Sequence, residues 1–461
     1  MSRRAIGAAC GISAAALILM LPGVGALEPV AVRALAIIVL GVAFWAADVL
    51  NAGITAIMTL GLLMIAGVPG QVALSGFAAA GFWILVAVLF FGYAMDRTGL
   101  ARRIAYRILL AFPPTYAGIL GAFLLIGFVL TLGIPSMTVR TAILMPIAWA
   151  LVQALGLPLP GRGSALIILS TFEMAVLPGC ALLTGALWGP YLAGLFANQG
   201  IPIAWLQYAE VMFVPTLLWC VMVLIANMIV LRPEGGLGVT HAVVGAELAK
   251  LGPMSRHERL TALVVTASIL AWATQPWHRA PAEAIGMVAL TALFAAGVLQ
   301  AVEIGTGIPW SLALFVGGML SLGTVITTYK ISGWVAGLVV PMLTPLAGSS
   351  FALAAGIGVA VMAMRFIDPV GFITIATFFL ALVGTASGWG LPPLVLSGII
   401  LLPLHVFWFS YQNIWIVITE GVTKRQAYTD GDRFRLATVF AGVTILALWV
   451  AVGYWKVMGI M

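Results

Sequence analysis

The sequence predicts an all-α polytopic membrane protein, and three observations carry that prediction. Of 461 residues, 63% are hydrophobic and 8% charged, against roughly 25% charged in ordinary soluble domains. Apolar runs long enough to span a bilayer recur along the whole chain. The basic residues gather in the short segments between those runs. The net charge of +7 therefore reads as a set of topology signals, with no basic groove left for nucleic acid.

Taken in order, the apolar runs predict helices near 5–26, 31–50, 52–68, 77–96, 165–188, 207–231, 260–275, 283–300, 309–328, 393–419 and 436–458. The first resembles a secretory leader ending at Gly25-Ala26, but later spans already direct insertion, so it is read as a membrane helix. Cys10, Cys180 and Cys220 lie in apolar runs without metal-ligand spacing and read as small buried residues.

Two stretches, about 114–158 and 347–387, are too long for one span. Each has a polar or Pro-containing centre, IPSMTVR in the first and MRFIDPVG in the second. A hairpin that enters and leaves on one side explains both, because irregular backbone at membrane depth must be satisfied by protein or a wet cavity. Eleven spans plus two such re-entrant hairpins, with a cytoplasmic N-terminus, put fifteen of the 21 basic residues on the cytoplasmic side and the C-terminus outside.

The polar linker at 232–259 divides the chain into halves of one plan, 1–231 and 260–461. VAVLFFGYAMDRTGLARRIA (86–105) and GGMLSLGTVITTYKISGWVA (317–336) occupy matching places. The predicted span counts give the halves opposite orientations, an inverted-topology repeat. With interrupted helices around a midplane site, this is a secondary-transporter signature.

The candidate functional residues are the polar ones at depth. Arg140 follows Ser136 and Thr138 at the first hairpin centre. Its guanidinium fork suits a carboxylate or an oxyanion; a brace on loose carbonyls is the alternative. Arg365 and Asp368, three residues apart, either neutralise each other or divide between substrate and coupling ion. Glu173 precedes a Pro178-Gly179 break and either carries Na⁺ or H⁺ or pairs with Arg140. Thr184 follows the break and can donate to an anion or bond its own helix. Pro403 breaks the matching helix, near His405, Ser410, Gln412 and Asn413. His405 can titrate near neutral pH, though such a residue is more often simply hydrogen-bonded. No nucleotide-binding loop, zinc motif or nucleophile elbow occurs.

These residues resemble those of the divalent anion:sodium symporters of the ion-transporter superfamily. VRALAIIVLGVAFWAADVLNAGITAIMTLGLLMIAGV is similar to that family's second and third helices, and DRTGLARRIAYRIL to its cytoplasmic amphipathic helix. GPMSRHERLTALVVTASILAWAT is similar to its linker and seventh helix. The resemblance implies eleven spans and two hairpins per protomer, a homodimer, and an elevator-like motion. The family's Ser-Asn-Thr tip motif survives as Ser136-Met137-Thr138, and Asp368-Pro369-Val370 stands in place of the second. TGALWGP replaces the family's Gly-Thr-Pro-Pro-Asn run, and FSYQN (409–413) resembles its Asn-containing segment. Ser136, Thr138, Thr184 and Asn413 carry over as substrate-binding residues, whereas the amide ligand at 137 does not.

The functional expectation is a secondary active transporter of a small anion such as a di- or tricarboxylate, sulfate or a related oxyanion. Substrate would meet Ser136, Thr138, Arg140, Thr184, Asp368, Gln412 and Asn413. Coupling to Na⁺ or H⁺ would use Glu173 or Asp368, with no cofactor beyond that ion, in a bacterial inner membrane. An anion channel or a membrane-embedded enzyme is the alternative.

Overall fold

The computed structural model describes residues 3–20, 27–201, 203–233, 237, 240–368 and 371–461. Nine helices in it are long and apolar enough to cross a membrane, and shorter apolar helices accompany them. The proposed leader end at Gly25-Ala26, and Pro369 and Val370, lie outside the described residues.

The first half begins with α1 (Arg3–Met20), α2 (Pro29–Ala46) and α3 (Ala52–Ile65). Then come α4 (Ala80–Thr98) and the amphipathic α5 (Leu100–Ala111). A helical pair follows, α6 (Tyr116–Gly133) and α7 (Met137–Ala154). After it stand α8 (Arg162–Val176), α9 (Trp188–Asn198) and the 27-residue α10 (Trp205–Leu231). The linker carries α11 (Thr240–Lys250).

A similar order of elements follows, without a counterpart to α1. It runs α12 (Arg256–Ala273), α13 (Ala282–Ala295), α14 (Trp310–Thr328) and α15 (Ile331–Leu343). The second pair is α16 (Ser350–Met364) and α17 (Phe372–Ala386). After it stand α18 (Pro393–Leu401), α19 (Ile414–Thr423) and the 28-residue α20 (Asp430–Val457).

Both expected breaks occur. α8 passes into a 3-10 turn at Leu177–Ala181 and α18 into one at Leu402–His405. Pro178 and Pro403 sit inside these turns and supply no backbone N–H, so the α-helical ladder cannot continue through them. The predicted helices 165–188 and 393–419 are accordingly interrupted: each α-helix runs into a 3-10 turn, and the next α-helix starts only at Trp188 or Ile414. Both long central stretches likewise form two helices, separated by a short loop at 134–136 in the first and by residues 365–371, of which 365–368 and 371 are described, in the second.

The two arms of the first pair, α6 and α7, lie against α8 rather than along each other. Elsewhere the halves pack crosswise: α3 against α14, α13 against α4, α19 against α7, and α10 against α20. Side chains such as Leu166, Ile168, Met212, Leu396 and Ile400 are fully buried in the shared core.

Candidate functional site

The loops between the paired helices sit where carbonyls lose their helical partners. At the first, Ser136 caps α7, its hydroxyl accepting from Val139 N at 3.3 Å. Arg140, one turn on, is fully buried. Its Nε donates to Ala175 O at 2.8 Å, beside the α8 break. Its Nη1 donates to Ile134 O at 3.1 Å, to Gly185 O at 2.9 Å and to the Thr131 hydroxyl.

Arg365 does the same work at the second loop. Its Nε donates to Leu404 O in the α18 break at 2.7 Å, and its other nitrogens to Asp368 O and Gln412 O. Each arginine thus ties together a carbonyl in the loop between the paired helices, one at the break and one beyond it. A buried carbonyl without a donor costs about 1–3 kcal/mol, so each guanidinium compensates several such costs at once. Arg140 therefore stands as a brace, with Nη2 alone unpartnered among the described residues. Glu173 is not its partner, since its Oε2 accepts from Asn227. Gly179 lies against that Nη2: a Cβ there would come within 2.7 Å of it.

The Asp368 carboxylate accepts from Gly371 N at 2.9 Å and from the Thr374 backbone and hydroxyl, both at 2.8 Å. It caps the start of α17, where the helix dipole favours its charge. Gly371 has a φ of +94°, which a side chain would strain.

Four helix N-termini are linked by side-chain contacts around this centre. The Trp415 indole donates to Thr138 on α7 at 3.1 Å, and its backbone N–H to the capping Asn413 at 3.2 Å. Trp415 stands edge-on to Trp188 at the start of α9, 5.6 Å between ring centres. Tyr191, in the first turn of α9, packs on Phe372 at the start of α17, 5.0 Å apart. The two breaks themselves touch, with Cys180 Sγ 3.7 Å from His405 Nε2.

The sequence-predicted residues divide accordingly. Ser136, Thr138, Gln412 and Asn413 gather around the N-termini of α7 and α19; Thr138 is exposed and the other three are buried. Thr184 lies in the irregular segment between α8 and α9 and accepts from the Trp205 indole at 3.0 Å. His405 is packed between Trp188 and Trp219. Glu173 stands apart, on α8 facing α10. Sequence reasoning missed the roles of Trp188 and Trp415; their place at the first turns of short helices after a break was the available signal.

A family model described as the sodium:sulfate symporter transmembrane region matches residues 4–461. The chain belongs to this family.

Dicarboxylate transporter 1 of the Spinacia oleracea chloroplast is 24% identical over 396 residues, covering 82% of this chain and 68% of that one. A membrane protein of Cupriavidus necator is 26% identical over 362 residues, 72% and 69% of the two chains. Inner membrane protein YbhI of Escherichia coli is 23% identical over 272 residues, 57% and 56%. The YdaH transporter of Alcanivorax borkumensis matches in structure with a TM-score of 0.55 at 14% identity, covering 84% of this chain and 88% of that one. At that identity the likeness is one of fold. This sodium:sulfate symporter family member is a multi-pass membrane transporter and not an enzyme.

Proposed function

We propose that this transporter carries a small di- or tricarboxylate, sulfate or related oxyanion between the two helix–loop–helix pairs, by elevator-type alternating access. The observation that carries the reading is a surplus of buried donors. Arg140 Nη2, Gln412 Nε2 and Asn413 Nδ2 have no acceptor among the described residues, and they lie beside linked helix N-termini. A buried donor without a partner is costly, and an anion's oxygens would supply the missing acceptors.

In this reading the pairs are re-entrant hairpins of an inverted repeat, 1–231 and 260–461, joined by the linker 232–259. Ser136, Thr138, Gln412 and Asn413 line the anion, with Thr184 and Asp368 holding the loops around it. The likeness to chloroplast dicarboxylate transporters and to the sodium:sulfate family supports the anion class. The driving ion is Na⁺ or H⁺, at Glu173 or Asp368, or the cycle is an exchange. A homodimer in a bacterial inner membrane fits the same reading.

The test is uptake of labelled succinate and of labelled sulfate into proteoliposomes, under a Na⁺ gradient, a pH gradient, or an internal load of the same anion. Accumulation or exchange of either supports the proposal. No flux of either anion under any of the three conditions counts against it.

A further inference from the structure

Among the described residues the buried carboxylates Glu258, Glu303 and Glu420 are paired with arginines, which leaves Asp368 and Glu173 to a coupling ion, and their surroundings differ. Asp368 accepts three hydrogen bonds, one from Gly371 and two from Thr374 in the first turn of α17, and lies beside Arg365, which suits a fixed charge. Glu173 has neither advantage. It is 1% exposed, in a segment that is buried throughout, about 16 Å along α8 from Arg162 at 1.5 Å per residue.

Its Oε2 accepts from Asn227 of α10, while Oε1 has no partner among the described residues. No described ion pair within 4.0 Å includes it. The elements that pack most on α8 are α6, α7, the break turn, α10 and α19. α6 carries no charged residue. α7 brings Arg140, whose Nε and Nη1 are held by oxygens of other residues. The break turn brings Cys180, and α10 brings Cys220 near Glu173 and Glu210 far along the helix. α19 brings Glu420, itself bound by Arg433 and Arg425.

An ionised carboxylate so placed pays a desolvation penalty that the single hydrogen bond from Asn227 offsets only in part. A proton removes the penalty and turns Oε1 into a donor. A metal cation fits less well, because Asn227 points its amide N–H group at Glu173 and at the Ser170 hydroxyl, 3.1 Å from the latter. That places a donor where a cation would need another oxygen.

We infer that the coupling ion is a proton and that Glu173 carries it. This rests on the transport reading above. The step is a balanced transfer: water on one face gives H⁺ to the carboxylate, and the carboxylic acid returns H⁺ to water on the other. Glu173 lies two residues before Ala175, whose carbonyl holds Arg140. The proton site and the brace of the first loop thus share one turn of helix.

Infrared spectroscopy of the purified protein at neutral pH, with Glu173→Gln as reference, tests the protonation directly. The difference spectrum should contain the C=O stretch of a protonated carboxylic acid, moved down in D₂O. Asn227→Ala should keep this band and shift its frequency, which guards against a Gln variant that does not fold. Absence of the band in both the wild type and Asn227→Ala overturns the inference. In proteoliposomes, succinate or sulfate uptake by the wild type should rise with an imposed pH gradient, and Glu173→Gln should lose that response. A response retained in full by Glu173→Gln also overturns it. A wild type that moves neither anion removes the transport reading and the coupling together, while the infrared band still reports whether Glu173 holds a proton.

Discussion

Asn413 combines two tasks that can be separated by one atom. Its Oδ1 accepts from Trp415 N and caps α19, while its Nδ2 is buried without an acceptor. Asn413→Asp keeps an oxygen for the cap, a type favoured at that position, and replaces the donor with a negative charge. The folded protein should survive, and stabilisation by succinate or sulfate in a thermal-shift series should fall by at least about tenfold in apparent affinity, since one tenfold step is about 1.4 kcal/mol. Unchanged affinity would take Asn413 out of the anion site. Arg140→Ala should behave in the opposite way. It leaves the carbonyls of Ala175, Ile134 and Gly185 without their donor, at about 1–3 kcal/mol each where water cannot enter. A marked loss of thermal stability without any added anion is expected. Wild-type stability in that variant would show that the brace contributes little.

At the scale of elements, the breaks and paired helices were legible because Pro178 and Pro403 interrupt apolar runs and polar residues mark the loop centres. The equivalence of Arg140 and Arg365 was not, because one follows its loop and the other opens it. Only the shared pattern of carbonyl partners reveals it. Asn227 was equally hidden: it sits 54 residues from Glu173, and no local pattern connects them. The linker shows the same limit. Ser255 and Glu258 form a capping box that opens α12, a pattern readable in sequence. The buried pairing of Glu258 with Arg103 of α5, at 2.7 Å, is not. Burial alone would raise the Glu258 carboxyl, but the hydrogen bonds from Arg103 and Ser255 more than offset it and hold the group below the ordinary carboxylate range. A lowered folded-state value means that the contribution to stability is complete above the ordinary range and is lost as pH falls through the lowered value. Thermal stability should therefore decline below about pH 4 in part through this group, whose ordinary value is about 4.3. Glu258→Gln should be less stable at neutral pH and show a shallower acid decline. An identical slope in both proteins would show that the Arg103 tie is not linked to folding.

For the whole molecule, the recurring element order and the crosswise packing of α3 on α14 and α13 on α4 suit two halves inserted in opposite senses. Helix lengths alone do not decide this, since an 18-residue arm such as α6 or α7 is about 27 Å long, close to the thickness of a bilayer core. Sidedness does. If the repeat is inverted, both ends of the first pair face the cytoplasm and both ends of the second face outward. Ala111 and Gln153 flank the first pair, Gly348 and Ser387 the second, and all four are exposed. Single cysteines at these positions, in a chain whose Cys10, Cys180 and Cys220 have been replaced, can be labelled in intact cells and in inverted vesicles with a membrane-impermeant maleimide. Ala111→Cys and Gln153→Cys should react only in inverted vesicles, and Gly348→Cys and Ser387→Cys only in intact cells. Labelling of all four from one face would mean that the pairs enter from the same side. Two loops could not then approach a common centre from opposite faces, and alternating access between them would lose its structural basis.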